Sequence, residues 1–187
     1  MKGGLASRRR VLAGLACLPA ISLHPSHAQE GGGGAPRSLK LYNLHTGERF
    51  DGEYHDGRRY LLDALAALDW FLRDHHADEA AIMDIDVLDL VWRMDRRYLI
   101  ARGHQPTINV HSAYRTEATN QALISEGAAV NSYHVRARAI DISVQGYGIH
   151  ILANFARAVQ VQGGLGIYWR GRFVHLDTGP QRFWYSR

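Results

Sequence analysis

At 187 residues the chain can form one ordinary domain with a real core, and a composition of 46% hydrophobic and 21% charged residues excludes wholesale disorder. The formal net charge of +4 sits entirely at the N-terminus, where Lys2, Arg8, Arg9 and Arg10 precede any acidic side chain. Without these four, 18 of the 22 Lys+Arg face 18 Asp+Glu. A nucleic-acid reader needs its basic surplus in the folded part, so that class is disfavoured.

Residues 1–28 read as an export signal. Ser7-Arg8-Arg9-Arg10-Val11-Leu12 has the twin-arginine form, an apolar run from Val11 to Leu23 follows, and Ser26-His27-Ala28 offers small residues for cleavage before Gln29. The run falls short of the ~20 apolar residues needed to span a bilayer, so no stable membrane anchor is expected. The alternative is a lipid attached at Cys17, although Gly14-Leu15-Ala16 before it is a poor match to a lipoprotein signal. Cleavage before Gln29 leaves a chain without cysteine, which can form no disulfide and no thiolate nucleophile and must hold any metal by His and carboxylate.

Residues 29–36, with four consecutive glycines, form a flexible leader to a domain over 37–187. Leu39 to Leu44 alternates at period two, His45 to Glu48 supplies a turn, and Arg49 to Tyr54 continues extended, which predicts a β-hairpin. Apolar residues at 61, 62, 65, 68, 71 and 72 predict a helix from Arg59 to about His75. A second helix is predicted from an Asp86 N-cap to about Ala101, ended by Gly103. Beyond Pro106 a strand over Thr107–His111, a helix over Thr116–Glu126, a strand over Ala139–Val144 and a helix over Ile149–Val161 are expected. Strands over Leu165–Trp169 and Arg172–Leu176 complete the pattern. With no repeat and no second linker, one α+β domain follows.

Nine of the 11 histidines lie beyond residue 28. His45, His55, His75, His76 and His104 fall in turns or at helix ends, where solvated or capping roles are the default, and His150 opens a helix. Three positions differ. His134 lies in a polar loop, Asp141 interrupts the apolar strand Ala139-Ile140-Asp141-Ile142, and His175 stands between Val174 and Leu176. A polar group among Ile and Val is costly unless paired or metal-bound. Two histidines and one carboxylate leave a fourth position on zinc for water. From the residues alone, a metal site and a buried Asp141–His175 hydrogen-bonded pair are equally open readings.

These same residues carry a family resemblance. Ser132-Tyr133-His134-Val135-Arg136-Ala137-Arg138-Ala139-Ile140-Asp141 resembles the S-x-H-x-x-G-x-A-x-D motif of zinc D-Ala-D-Ala carboxypeptidases and related murein endopeptidases. Phe173-Val174-His175-Leu176-Asp177-Thr178-Gly179 resembles their last-ligand segment, and Ser112-Ala113-Tyr114-Arg115-Thr116 their S-G-Y-R-S/T segment. The exported murein endopeptidase branch also begins with a strand and turn like Leu41 to Glu48. The resemblance spans essentially all of the chain after the signal. It implies the fold of lysostaphin-type, D-Ala-D-Ala and hedgehog domains, a small antiparallel sheet carrying one zinc with helices packed around it.

By the same resemblance, His134, Asp141 and His175 are the zinc ligands. Arg115 holds a substrate carboxylate or the developing oxyanion, and Ser132 is the motif serine near the metal. Ala137 and Ala113 stand where the family has glycine, which is awkward if either position needs positive φ. The positions three and two before the last ligand, where some relatives carry a base, are Arg172 and Phe173. Asp177 shares a strand face with His175 and is either the general base or the group that orients His175. His111 is a further base candidate. Tyr114, Tyr133, Tyr147, Tyr168, Trp169, Trp184 and Tyr185 are available to line a groove, with Tyr114 and Tyr133 favoured for substrate contact because they adjoin motif residues.

The resemblance thus implies an exported, periplasmic zinc metallopeptidase whose partner is peptidoglycan and which cuts amide bonds in its stem peptides or cross-links. Two other readings stand beside it: a non-catalytic zinc-containing envelope protein, favoured by the missing upstream base, and a carboxypeptidase or dipeptidase acting on small stem peptides.

Overall fold

The structure is a computed structural model that describes residues 34–160 and 162–186. The expected signal peptide, Cys17 and most of the leader lie outside the described residues. Among the described residues no helix is long and apolar enough to cross a membrane.

The expected hairpin forms from β1 (Arg37–Asn43) and β2 (Arg49–His55), paired antiparallel with Leu41 opposite Phe50. Its turn is tied by the buried Asn43 side chain, whose Oδ1 accepts from the backbone N–H groups of His45 and Thr46 at 2.9 and 3.1 Å. The first helix, α1 (Leu62–Phe71), is shorter than the apolar stripe predicted. Leu61 is still extended, its N–H on the Tyr54 carbonyl. After Leu72 the Asp74 carboxylate accepts from His76 N–H and turns the chain away. Helix α2 (Ile85–Arg102) is capped by Asp84 rather than Asp86 and ends at Gly103 in the left-handed region, as a glycine there allows.

Strand β3 (Ile108–Ser112) leads to α3 (Glu117–Leu123), capped by the Thr116 hydroxyl. The predicted helix continues only as a 3-10 turn to Glu126, closed by Gly127. Then follow β4 (Ala139–Val144), α4 (Ile149–Val159), β5 (Gly164–Tyr168), β6 (Phe173–Asp177) and an unforeseen β7 (Arg182–Ser186).

The sheet is neither small nor purely antiparallel. It has seven strands in the order β2-β1-β3-β4-β6-β5-β7, with β1–β3 and β5–β7 parallel and the other pairs antiparallel. Helices α1 and α2 lie between β1 and β3, the long crossover a parallel pair requires. β7 returns along the far side of β5 after a short turn.

Period-two alternation divides the faces. Ile140, Ile142 and Val144 of β4, Leu165 and Ile167 of β5, and Val174 and Leu176 of β6 are buried. They belong to one core with Val87, Leu88, Val91, Met94 and Tyr98 of α2 and Leu152, Ala153 and Ala156 of α4. Each Val, Leu, Ile or Met among them contributes about 1.5–3 kcal/mol by burial. The intervening residues, Asp141, Phe173, His175, Asp177, Gly164, Gly166 and Tyr168, share the opposite face. The candidate site is built there.

Candidate metal centre

Asp141 and His175 are directly paired across β4 and β6. His134 comes from a 3-10 turn (His134–Arg136) just before β4. Three contacts hold it: its N–H donates to Ser132 Oγ (3.2 Å), its carbonyl accepts from Arg115 N–H (3.2 Å), and its ring Nδ1 donates to the Ala113 carbonyl (2.6 Å). The turn ends on Ala137 at φ 54°, so this alanine does occupy the left-handed region expected of the motif glycine, whereas Ala113 does not have positive φ.

The donor set converges. His134 Nε2 lies 3.2 Å from His175 Nδ1 and 3.3 Å from Asp141 Oδ2, and His175 Nδ1 lies 2.8 Å from Asp141 Oδ1. All three residues are buried, and one ligand atom from each lies within 4.8 Å of the others. A carbonyl can only accept, so His134 Nδ1 carries the hydrogen and Nε2 presents a lone pair. His175 Nε2 faces Asp177 Oδ2 at 2.8 Å, which leaves Nδ1 to face the cluster. With His175 neutral, two imidazole lone pairs and a carboxylate meet at one place, an arrangement that a cation satisfies.

In the side chains alone, a proton on His175 fills that place. Burial lowers the His134 pKa, against the pull of Asp141. Burial also pulls His175 down, but its bonds to Asp141 and Asp177 outweigh that and raise it to about 9. Asp141 is held well below the usual carboxylate range, burial being overcome by His134 and His175.

Arg115 Nε donates to Ser112 Oγ at 2.7 Å and Nη2 to Asp141 Oδ2 at 3.1 Å. Its loop is pinned by Asp74, which accepts from both the N–H and the hydroxyl of Thr116 at 2.9 Å. Asp177 is completely buried. It accepts from His175, from the N–H groups of Gly164 (3.1 Å) and Gly179 (2.8 Å), and from Arg182 on both oxygens (3.1 and 2.6 Å).

Two cavities adjoin the cluster and share its Asp141. A cavity of about 700 Å³ on one side is lined by Ser132, Tyr133, His134, Asp141, Tyr168, His175 and Trp184. One of about 420 Å³ on the other is lined by His45, Asp74, His75, His111 and Tyr114. The two share Arg115, Leu123, Glu126, Asp141 and Phe173. Tyr114 and Tyr133 therefore face opposite arms. The Tyr114 hydroxyl donates to Glu79 (3.3 Å), and the Tyr133 ring lies under Arg182, 4.7 Å from its guanidinium carbon. His111 contacts Ser143 Oγ at 2.8 Å and the Phe173 ring. Tyr147, Trp169 and Tyr185 line neither arm.

The sequence reading missed Arg182 and Glu126 and did not separate Tyr168 and Trp184 from other aromatics. The available signal was the alternation Arg182-x-Trp184 against Gly164-x-Gly166-x-Tyr168.

The family profile described as peptidoglycan L,D-endopeptidase MepK matches residues 32–184. The chain belongs to this family. It is similar to the peptidoglycan L,D-endopeptidase MepK of Escherichia coli strain K12, with 37% identity over 183 residues, 96% of this chain and 97% of the relative. The MepK of Shigella flexneri gives the same figures. The probable peptidoglycan L,D-endopeptidase MepK of Haemophilus influenzae is 31% identical over 151 residues, 80% of this chain and 79% of the relative. No solved structure matches the chain. Membership in the MepK family makes the chain a peptidase, with its His134–Asp141–His175 cluster able to hold a metal.

Proposed function

We propose that the chain is a zinc-dependent peptidoglycan endopeptidase that cuts L,D-linked peptide cross-links. The observation that carries the reading is that the His134–Asp141–His175 cluster lines one cavity and its Asp141 also lines a second, which suits a peptide continuing on both sides of the cut bond. A carboxypeptidase needs only one arm. The L,D preference comes from the names of the relatives.

The donor set supports zinc. A tetrahedron with ~2.0–2.1 Å bonds has edges of ~3.3 Å, close to the 3.2 Å between His134 Nε2 and His175 Nδ1, and each nitrogen has an Asp141 oxygen within 3.3 Å. When bound there, zinc would polarise the scissile carbonyl and lower the pKa of a water to about 7. Of the two roles open to Asp177, its contacts support orientation. Its oxygens are committed to His175, Arg182 and two backbone N–H groups, and it lines neither arm. Glu126, a carboxylate lining both arms, is the better acceptor for the proton of the attacking water. Arg115 keeps Asp141 turned inward and presents its guanidinium to a substrate carboxylate or oxyanion. Ser132 shapes the His134 turn.

The test is incubation of the purified protein with cross-linked muropeptide dimers and, separately, with free stem peptides, with and without a chelator, zinc being assayed alongside. Chelator-sensitive release of monomers from L,D-linked dimers is expected. Trimming of free stem peptides alone would establish the carboxypeptidase reading instead, and stoichiometric zinc without cleavage of either would establish the non-catalytic one. Export of the 37–187 domain to the periplasm through residues 1–28 belongs to the same proposal. It rests on Ser7-Arg8-Arg9-Arg10-Val11-Leu12, and replacing Arg8 and Arg9 by Lys is expected to retain precursor in the cytoplasm.

A further inference from the structure

Four strands contribute to one row of the sheet: Asp141 on β4 is paired with His175 on β6, His175 with Gly166 on β5, and Gly166 with Trp184 on β7. Gly166 leaves a gap in that row. A Cβ there would stand 2.5 Å from Trp184 Cε2 and Cζ2. Through the gap the indole reaches β6, its ring centroid 5.3 Å from that of His175. The neighbouring row repeats the device, since Gly164 leaves room for Arg182 to reach Asp177.

Trp184 is thereby aimed along the sheet, and its Nε1–H donates to the Tyr168 hydroxyl at 3.2 Å. Tyr168 is half-buried and stacked on Phe173, with centroids 4.5 Å apart and planes 12° apart. A phenol oxygen that accepts from an indole keeps its own O–H to donate. Among the described residues no acceptor takes that hydrogen, and Tyr168 lines the arm that Arg115, His134, Asp141 and His175 also line. Burial raises the Tyr168 pKa, Asp141 adding to the rise while the Trp184 bond and Arg115 oppose it. The phenol therefore stays protonated at neutral pH.

We propose that Tyr168 is a catalytic residue whose hydroxyl donates to the carbonyl oxygen of the scissile amide as it becomes an oxyanion, and that Trp184 is the positioning residue that holds it. The inference rests on the hydrolytic reading above. An O–H bond of water breaks, its proton passes to Glu126, and the water oxygen bonds to the carbonyl carbon. The C=O π pair moves onto oxygen, where Tyr168 and Arg115 donate to it. On collapse the π bond reforms and the C–N bond breaks with its pair on nitrogen, which takes the proton back from Glu126. A donor so used acts on the transition state more than on the bound amide, so its loss appears in kcat rather than in KM.

The experiment compares the metal-loaded wild-type protein with Tyr168→Phe and Trp184→Phe on an L,D-linked muropeptide dimer. Tyr168→Phe keeps the stack on Phe173 and removes one oxygen. A fall in kcat of about 10²-fold is expected, with KM, zinc content and Tm unchanged and with a comparable loss of affinity for a phosphinate isostere of the cut bond. Trp184→Phe is expected to lower kcat by a smaller factor, again without moving KM. A Tyr168→Phe enzyme with wild-type kcat, or a loss that appears only in KM, overturns the inference and leaves the endopeptidase reading intact. A wild-type protein that leaves the dimer whole overturns that reading and this inference with it.

Discussion

The gap at Gly166 makes a sharp prediction about stability. In Gly166→Ala the new methyl would lie 2.5 Å from Trp184 Cε2 and Cζ2 and 2.7 Å from Nε1, well inside any tolerable contact. The indole must tilt away from His175, and its bond to Tyr168 is lost. Overpacking of this kind costs about 1–3 kcal/mol and the hydrogen bond about 1 kcal/mol, offset by about 0.5–1 kcal/mol because alanine suits a strand better than glycine. The net is a loss of about 2 kcal/mol, or roughly 5 °C in Tm for a domain of this size. The control is the same substitution in a Trp184→Ala background, where the three nearest contacts of the methyl are gone and the cost should vanish or reverse. Urea unfolding of the four proteins at matched metal content closes the cycle, with an expected coupling of about 2 kcal/mol. Equal costs of Gly166→Ala with and without Trp184 would refute the argument, because the strain would then lie in the β5 backbone rather than in the crossing indole.

Four further outcomes are expected. Asp177→Asn removes the carboxylate behind His175 and should weaken metal affinity by about 10–100-fold, read by chelator competition; unchanged affinity would free Asp177 for another role. Glu126→Gln should lower kcat by about 10²-fold or more at unchanged zinc content, and a fully active variant would pass the proton to another group. Asp95 is buried with Oδ1 unpartnered and burial raises its pKa to about 6, so its favourable contribution is complete below pH ~4 and is lost as pH rises through about 6. Asp95→Asn should therefore stabilise by about 1–3 kcal/mol at pH 7 and by little at pH 4, and an equal gain at both would refute the titration. Ala137→Gly should gain about 0.5–1 kcal/mol in urea unfolding by relieving a left-handed alanine, whereas a loss would mean that the turn is not strained.

Much of the site was legible because polar residues interrupt apolar strands. Asp141 between Ile140 and Ile142, and His175 between Val174 and Leu176, announce themselves by the cost of their burial. The left-handed conformation at Ala137 was likewise implied by the motif glycine it replaces. The ends of α1 were not legible, because the apolar stripe includes Leu61 and Leu72, just outside the helix, where contacts with Tyr54 and Asp74 divert the chain. β7 was not legible either. Its five residues follow Gly179-Pro180, and nothing local says that they lie beside β5 rather than in a loose tail. Once β7 is missed, Trp184 is only one aromatic among several, since its place opposite Gly166 is a matter of register between distant strands.

The energetics of this face explain why it is arranged as it is. Glycine within a strand costs about 0.5–1 kcal/mol relative to alanine, and β5 carries two, at 164 and 166, both on the site face. Ala137 adds left-handed strain, and His134, Asp141 and His175 are all buried polar groups on this face. The opposite face of the same strands bears Ile, Val and Leu without interruption and packs on α2 and α4. Stability is thus supplied on one side of the sheet and spent on the other. Because a cation that binds only the folded cluster returns free energy to the folded state, the face that costs the most is also the one that a metal held there would stabilise.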